Sequence, residues 1–123
     1  MPMRGCLILC ACLLLLHVWA RTPNQMQGYA SYYSKSLKGK RTSNGGRYAP
    51  KSLTAAHRTW PLGSKVLVLE PQSGKKVEVT ITDRGPHSRK RVIDLSYAAA
   101  KRLGLLRKGI GKVHITLIDS LRS

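Results

Sequence analysis

Five carboxylates are available for acid–base chemistry in the 123-residue chain: Glu70, Glu78, Asp83, Asp94 and Asp119. So short a supply allows elimination. Glu70 stands beside the turn residues Pro71, Gln72, Ser73 and Gly74 and reads as a solvated turn charge. Glu78 alternates with Val77 and Val79, so it points away from their apolar face. Asp94 reads as a helix-start residue, and Asp119 as a surface charge near the end of the chain. Asp83 ends an alternating segment and precedes Arg84, Gly85 and Pro86, where the chain must turn. Its side chain either faces a cleft or braces an Asx-type turn.

Four histidines compete for a catalytic place. His17 lies in an apolar N-terminal run, His87 in a basic loop, and His114 on the polar side of an alternating segment. His57 follows Ala55 and Ala56, whose small side chains permit close packing, and precedes Trp60, which can supply an apolar wall. An imidazole and a carboxyl are the groups that general acid–base chemistry uses most. No metal-ligand spacing, phosphate-cradling glycine loop or Gly-x-Ser-x-Gly elbow is present, so neither metal nor cofactor is expected.

The elements that must hold these residues are short. Residues 65–70 and 76–82 alternate about the turn at 71–74 and predict a β-hairpin, with Val77, Val79 and Ile81 on one face. Residues 91–93 form another extended piece, and residues 112–118 a last strand with Val113, Ile115 and Leu117 inward. The spacing predicts a helix over 94–103, capped by Ser96 or Asp94 and stopped by Gly104. The Ala-rich stretch 52–57 suggests one helical turn. Asn44, Gly45 and Gly46 form the tightest turn of a polar loop. Several short strands with one small-residue helix suggest a compact barrel, filled without phenylalanine, which is absent.

The N-terminus has the pattern of an export signal. Arg4 supplies a positive start, residues 6–16 are continuously apolar, and Val18 and Ala20 suit a signal-peptidase site. Residues 1–20 are therefore expected to be a signal peptide and 21–27 a flexible leader. All three cysteines (Cys6, Cys10 and Cys12) fall inside that signal. The run around Cys12 loosely resembles a lipobox, so a lipid-anchored form is the alternative to plain export. With 22 basic residues against 5 acidic, the chain carries a formal charge of +17. That imbalance is a statement about partners: nucleic acid, anionic lipid or an acidic wall polymer. Export excludes nucleic acid as the expected one.

The motifs together resemble the rare-lipoprotein-A (RlpA) family. Gly28, Ala30, Ser31, Tyr32 and Tyr33 match its opening G-x-A-S-W/Y-Y, and Thr42, Asn44, Gly45 and Tyr48 its T-A-N-G-E-x-Y loop. Leu53, Thr54, Ala55, Ala56 and His57, followed by Leu62 and Gly63, match L-T-A-A-H and L-G. Asp83, Arg84, Gly85 and Pro86 match D-R-G-P, and Arg91, Asp94, Leu95 and Ser96 match R-I-I-D-L-S. The blocks keep their order and spacing from Gly28 to Ile118.

The resemblance implies a mainly β fold over residues 28–119, a six-stranded double-psi β-barrel with one or two short helices. It implies an endolytic lytic transglycosylase that cuts peptidoglycan between N-acetylmuramic acid and N-acetylglucosamine and leaves 1,6-anhydro ends. Asp83 and His57 take the family's catalytic positions. Tyr33, Asn44, Tyr48 and Trp60 are expected to contact the glycan by stacking or hydrogen bonding. Arg84 is expected to turn toward anionic wall groups or solvent, because an acid at Asp83 needs its pKa raised. The expected partners are peptidoglycan glycan strands and an anionic envelope surface, with the protein acting as a monomer in the periplasm or cell envelope. Gly46 stands where the family often has Glu. A non-catalytic, expansin-like wall-binding module is therefore the alternative reading.

Overall fold

Alternating apolar residues close a β-barrel. The structure, a computed structural model, describes residues 23–120. The expected signal peptide, Cys12 and the first leader residues lie outside that range. Strands β1 (Gln25–Tyr32), β2 (Thr54–Ala56), β3 (Lys65–Leu69), β4 (Lys76–Asp83), β5 (Arg91–Leu95) and β6 (Gly111–Asp119) form one closed sheet. Around the barrel their order is β1-β5-β2-β4-β3-β6. The pairs β1/β5 and β2/β4 are parallel and the other four antiparallel. This is the compact barrel that the strand pattern suggests, with the six strands that the resemblance implies. Strand β1 takes in Gln25–Gln27, which the sequence alone places in the leader.

The hairpin forms as its pattern dictates. Val66 pairs with Val79 and Val68 with Val77 across β3 and β4, and all four are buried. Gly74 turns the chain at φ +76°, and the Glu70 carboxylate accepts from the Gln72 and Ser73 amides, so this charge braces its own turn. With Ile81, Ile93, Leu95, Val113, Ile115 and Trp60, these valines make the core. Fully burying each such side chain stabilises the fold by about 1.5–3 kcal/mol before the entropy of ordering is counted.

Two elements differ from the sequence reading. The stretch expected to be a helical turn near Ala55 is strand β2, because it sits between β4 and β5 and completes both ladders. Tertiary pairing overrides the helix preference of two alanines. The helix α1 is shorter than expected, Tyr97–Arg102. Ser96 caps it, its side chain accepting from the Ala99 amide at 3.2 Å. Asp94 lies not at the helix start but in β5, where its neighbours are strand residues. A single 3-10 turn, Lys35–Leu37, follows β1.

Candidate active site

Strand β2 brings two acidic residues to one place. Its last residue, Ala56, pairs with Asp83 on β4 on one side and with Asp94 on β5 on the other. Neighbouring strands lie ~4.8 Å apart, so the two acidic positions stand roughly 10 Å apart across the sheet. The methyl group of Ala56 lies between them, and the space left there is about 10 Å³. Both side chains line one cleft, together with Tyr33, Thr42, Tyr48, Thr54, Thr82 and Ser96.

Asp83 is held by four donors. Oδ1 accepts from the Ser43 amide at 3.0 Å, the Ser43 hydroxyl at 2.7 Å and the Arg84 amide at 2.9 Å. Oδ2 accepts from the Tyr33 hydroxyl at 2.8 Å. Burial pushes this carboxyl up, but the bonds from Ser43, Tyr33 and Arg84 outweigh it and hold the group below its usual value. Hydrogen bonds to a carboxylate favour its charged form. Tyr33 is pushed the other way, first by burial and then by its bond to Asp83 and the charges of Asp83 and Asp94.

The loop that delivers Ser43 is a small hairpin. Tyr48 donates its amide to Lys40 O at 2.7 Å, Gly39 returns one to Tyr48 O at 2.9 Å, and Gly45 makes the turn at φ +87°. Asn44 donates its amide to Thr82 O at 3.1 Å, which docks the loop on β4. Its side-chain oxygen accepts from the Gly46 amide and the Thr42 hydroxyl, so it holds its own turn beside the cleft. Tyr48 is buried in the cleft wall. Its hydroxyl donates to Tyr33 O at 3.3 Å and accepts from the Tyr97 amide at 3.0 Å. Burial raises its pKa.

The other expected site residues stand behind this wall. His57 is 2% exposed and stacks on Trp60 with ring centroids 4.2 Å apart. Its Nδ1 accepts from the Thr59 and Trp60 amides at 3.1 and 3.0 Å, and its own amide donates to Asp83 O at 3.1 Å. Its side chain therefore shapes the 57–60 turn, and only its backbone touches Asp83. Burial, then Arg58 and Arg84, lower its pKa to about 4, so the ring is neutral at physiological pH. Trp60 is 1% exposed, with Nε1 donating to Pro23 O at 3.1 Å; it is a core side chain, not a sugar platform. Arg84 is exposed, as the sequence reading allows, yet its guanidinium is also engaged by the protein. Its guanidinium donates to His57 O at 3.1 Å and Trp60 O at 2.6 Å. Arg58 braces the following loop in the same way, donating to the carbonyls of Pro86, Ser88 and Arg91.

Asp94 is the functional candidate that sequence elimination misses. Its Oδ1 accepts from Ser31 at 2.6 Å and from Arg91 at 2.9 Å, the one salt bridge among the described residues. Arg91 also donates to the Ser31 hydroxyl. Oδ2 is left without a protein donor, 4.0 Å from where a Cβ on Gly85 would stand. Gly85 sits at φ +134°, a conformation side chains rarely adopt, which keeps that edge open. One sequence signal points to it: Asp94, like Asp83, lies at or next to the last residue of a strand, Asp83 closing β4 and Asp94 preceding Leu95 in β5. Among the described residues, no three His, Cys, Asp or Glu side chains come together as a metal site requires.

The chain is similar to curated proteins named endolytic peptidoglycan transglycosylase RlpA. That of Haemophilus influenzae is 51% identical over 89 residues, covering 72% of this chain and 31% of the relative. That of Pseudomonas aeruginosa is 45% identical over 98 residues, covering 80% and 29%. The chain thus spans about a third of the length of these relatives. Among solved structures it superposes on a Streptomyces papain inhibitor with a TM-score of 0.63 and 26% identity, over 76% of this chain and 94% of that one. An apo expansin of Clavibacter michiganensis gives 0.60 at 22% identity, over 80% of this chain and 52% of that one, which shows the fold alone. The barrel is thus of the double-psi kind. Residues 25–115 match the family model described as lytic transglycolase, and with the barrel and its two facing aspartates the chain belongs to that family.

Proposed function

We propose that the protein is an exported, monomeric lytic transglycosylase that cuts peptidoglycan glycan strands between N-acetylmuramic acid and N-acetylglucosamine. The observation that carries this reading is Asp83: an ionised carboxylate, fixed by four donors, lining a small cleft with a second carboxylate across Ala56. The relatives' printed activity and the apolar N-terminal run support it.

In such a reaction one carboxyl group serves twice. As an acid it protonates the glycosidic oxygen, and the bond from that oxygen to muramic C1 breaks. The muramic C6 oxygen then closes on C1, and its proton passes to the carboxylate just formed. No water is consumed. Asp83 fills this role when the strand covers it. Desolvation is already the largest influence on its carboxyl and pushes upward. A sugar lying over the cleft adds to that push, so the proton arrives with the substrate. Asp94 Oδ2 faces the same sugar and can orient it. His57 acts through the backbone, holding the turn that precedes Trp60 and supports Arg84.

Purified glycan strands incubated with the protein should release soluble products ending in 1,6-anhydro-muramoyl groups, read by mass spectrometry. Products with free reducing ends would mark a hydrolase instead.

A further inference from the structure

A second concavity lies beside the cleft, with opposite charge. It is a groove of about 560 Å³ lined by Lys35, Lys38, Lys51 and Lys101 together with Pro50 and Tyr97. No Asp or Glu lines it. Its volume lies in the range of ordinary ligand sites. The Lys35 ammonium sits 4.5 Å over the Tyr97 ring, a contact that orders the lysine before any ligand arrives.

Groove and cleft share one wall. The Tyr48 hydroxyl faces the cleft side and accepts the Tyr97 amide from the groove side at 3.0 Å. Three chain segments run from one depression to the other: Tyr33 to Lys35, Tyr48 to Pro50, and Ser96 to Ala98. The Ala98 amide bonds to Pro50 O at 3.0 Å and holds two of them together. The two depressions are thus neighbours, separated by the thickness of one wall.

We infer that the lysine groove is an anion subsite for carboxylates carried on the muramic acid residues of the strand bound in the cleft. The inference rests on the glycan-cleaving reading above. Peptidoglycan alternates an uncharged sugar with one bearing a lactyl carboxylate, free or extended by a peptide with carboxylates of its own. The cleft holds Asp83 and Asp94 with Arg91 paired to Asp94, so it repels a carboxylate. The groove attracts it. The two fields together set the register: the carboxylate-bearing substituent settles among the lysines, and a glycosidic bond is left over Asp83. The subsite thus chooses which of the two alternating bonds is presented.

The test compares Lys35→Gln/Lys51→Gln/Lys101→Gln with Lys76→Gln/Lys108→Gln/Lys112→Gln, which removes the same charge elsewhere on the surface. Binding to insoluble glycan is measured with its carboxyls free and after their conversion to amides. The groove variant should bind the carboxylate form on the order of tenfold more weakly than wild type, with its KM raised more than its kcat is lowered. The control variant should lose much less, and amidated glycan should not tell the variants apart. Glycan stripped of its peptides by an amidase separates the sources: retained lysine dependence assigns the lactyl carboxylate, and lost dependence the peptide. Equal losses in both variants, or none in the groove variant, overturn the subsite. So does lysine-dependent flotation with anionic phospholipid vesicles combined with indifference to glycan amidation, which would assign the groove to a lipid surface. Binding needs no turnover. A wild type that binds by its groove lysines but releases no anhydro product would sink the cleavage reading and keep the anion subsite.

Discussion

The Tyr33 hydroxyl donates to Asp83 Oδ2 at 2.8 Å, joining the residue after β1 to the last residue of β4. That bond is one of four that keep the carboxyl ionised. Tyr33→Phe removes it and leaves the ring in place against Tyr48, 5.1 Å away. The pH limb governed by Asp83 should then move upward, because one donor to the charged form is gone. A pH–rate profile of glycan cleavage reads this. An unmoved limb would mean that Tyr33 does not tune the carboxyl.

His57 ties stability to pH. The unfolded chain takes up a proton on this imidazole near its ordinary value of 6.5, whereas the folded protein does so only at about 4. Stability is therefore intact above pH 6.5 and falls as the pH drops from 6.5 toward 4, by up to about 3 kcal/mol. His57→Asn keeps an acceptor for the Thr59 and Trp60 amides but cannot titrate. Its urea-unfolding free energy should stay nearly flat across that window. Asp83 acts in the same direction but lower, because its folded value lies below the ordinary carboxylate one, so its loss begins near the acid end. Equal slopes in wild type and His57→Asn would show that His57 is not the titrating group.

Arg84 is a brace, and its substitution should show that. Its two bonds reach the carbonyls of His57 and Trp60, at the ends of the turn behind the cleft. Arg84→Gln should cost ~1–2 kcal/mol of stability, seen as a lower urea midpoint, and leave the KM for glycan nearly unchanged. A large rise in KM with stability intact would return Arg84 to the substrate.

Ala99 lies at 0% exposure on α1, with its amide bonded to Ser96 Oγ. Ala99→Leu forces three more carbons into that contact. Overpacking of this kind typically costs ~1–3 kcal/mol, and a thermal melt should show it. An unchanged melt would mean that the helix can move off the barrel.

Much of this was legible in the residues, and what was hidden has physical reasons. The β3–β4 hairpin could be read because Val77, Val79 and Ile81 alternate and Gly74 marks the turn. The Asn44–Gly46 turn declares itself by residue type, whereas the helix cap stays open between Ser96 and Asp94 until the structure assigns it to Ser96. Strand β2 could not be read, because Thr54–Ala56 is too short for a period and its alanines favour helix; only its neighbours on both sides make it a strand. That error hid Asp94 as well. Once Asp94 was given to a helix start, nothing local showed that Ala56 would set it opposite Asp83. The resemblance carried the positions of Asp83 and His57, but not their environments. Local sequence does not say that Ser43, forty residues away in the chain, donates twice to Asp83. Nor does it say that Trp60 turns inward, or that Arg84, though exposed, reaches back to the carbonyls of His57 and Trp60.

The central claim is that Asp83 moves the proton. Asp83→Asn keeps the size and an acceptor oxygen for Ser43 and Arg84, and turns its amide NH2 to the Tyr33 hydroxyl, which can accept as well as donate; it cannot exchange a proton near neutral pH. The decisive measurement is the rate at which 1,6-anhydro-muramoyl ends appear from purified glycan strands, for wild type and for Asp83→Asn, alongside their melts and their retention on sacculi. The account predicts that anhydro ends fall by ~10²-fold or more while fold and retention persist. Full activity in Asp83→Asn would contradict it. A wild type that binds sacculi and yields no anhydro ends would make the protein a wall-binding module and not an enzyme.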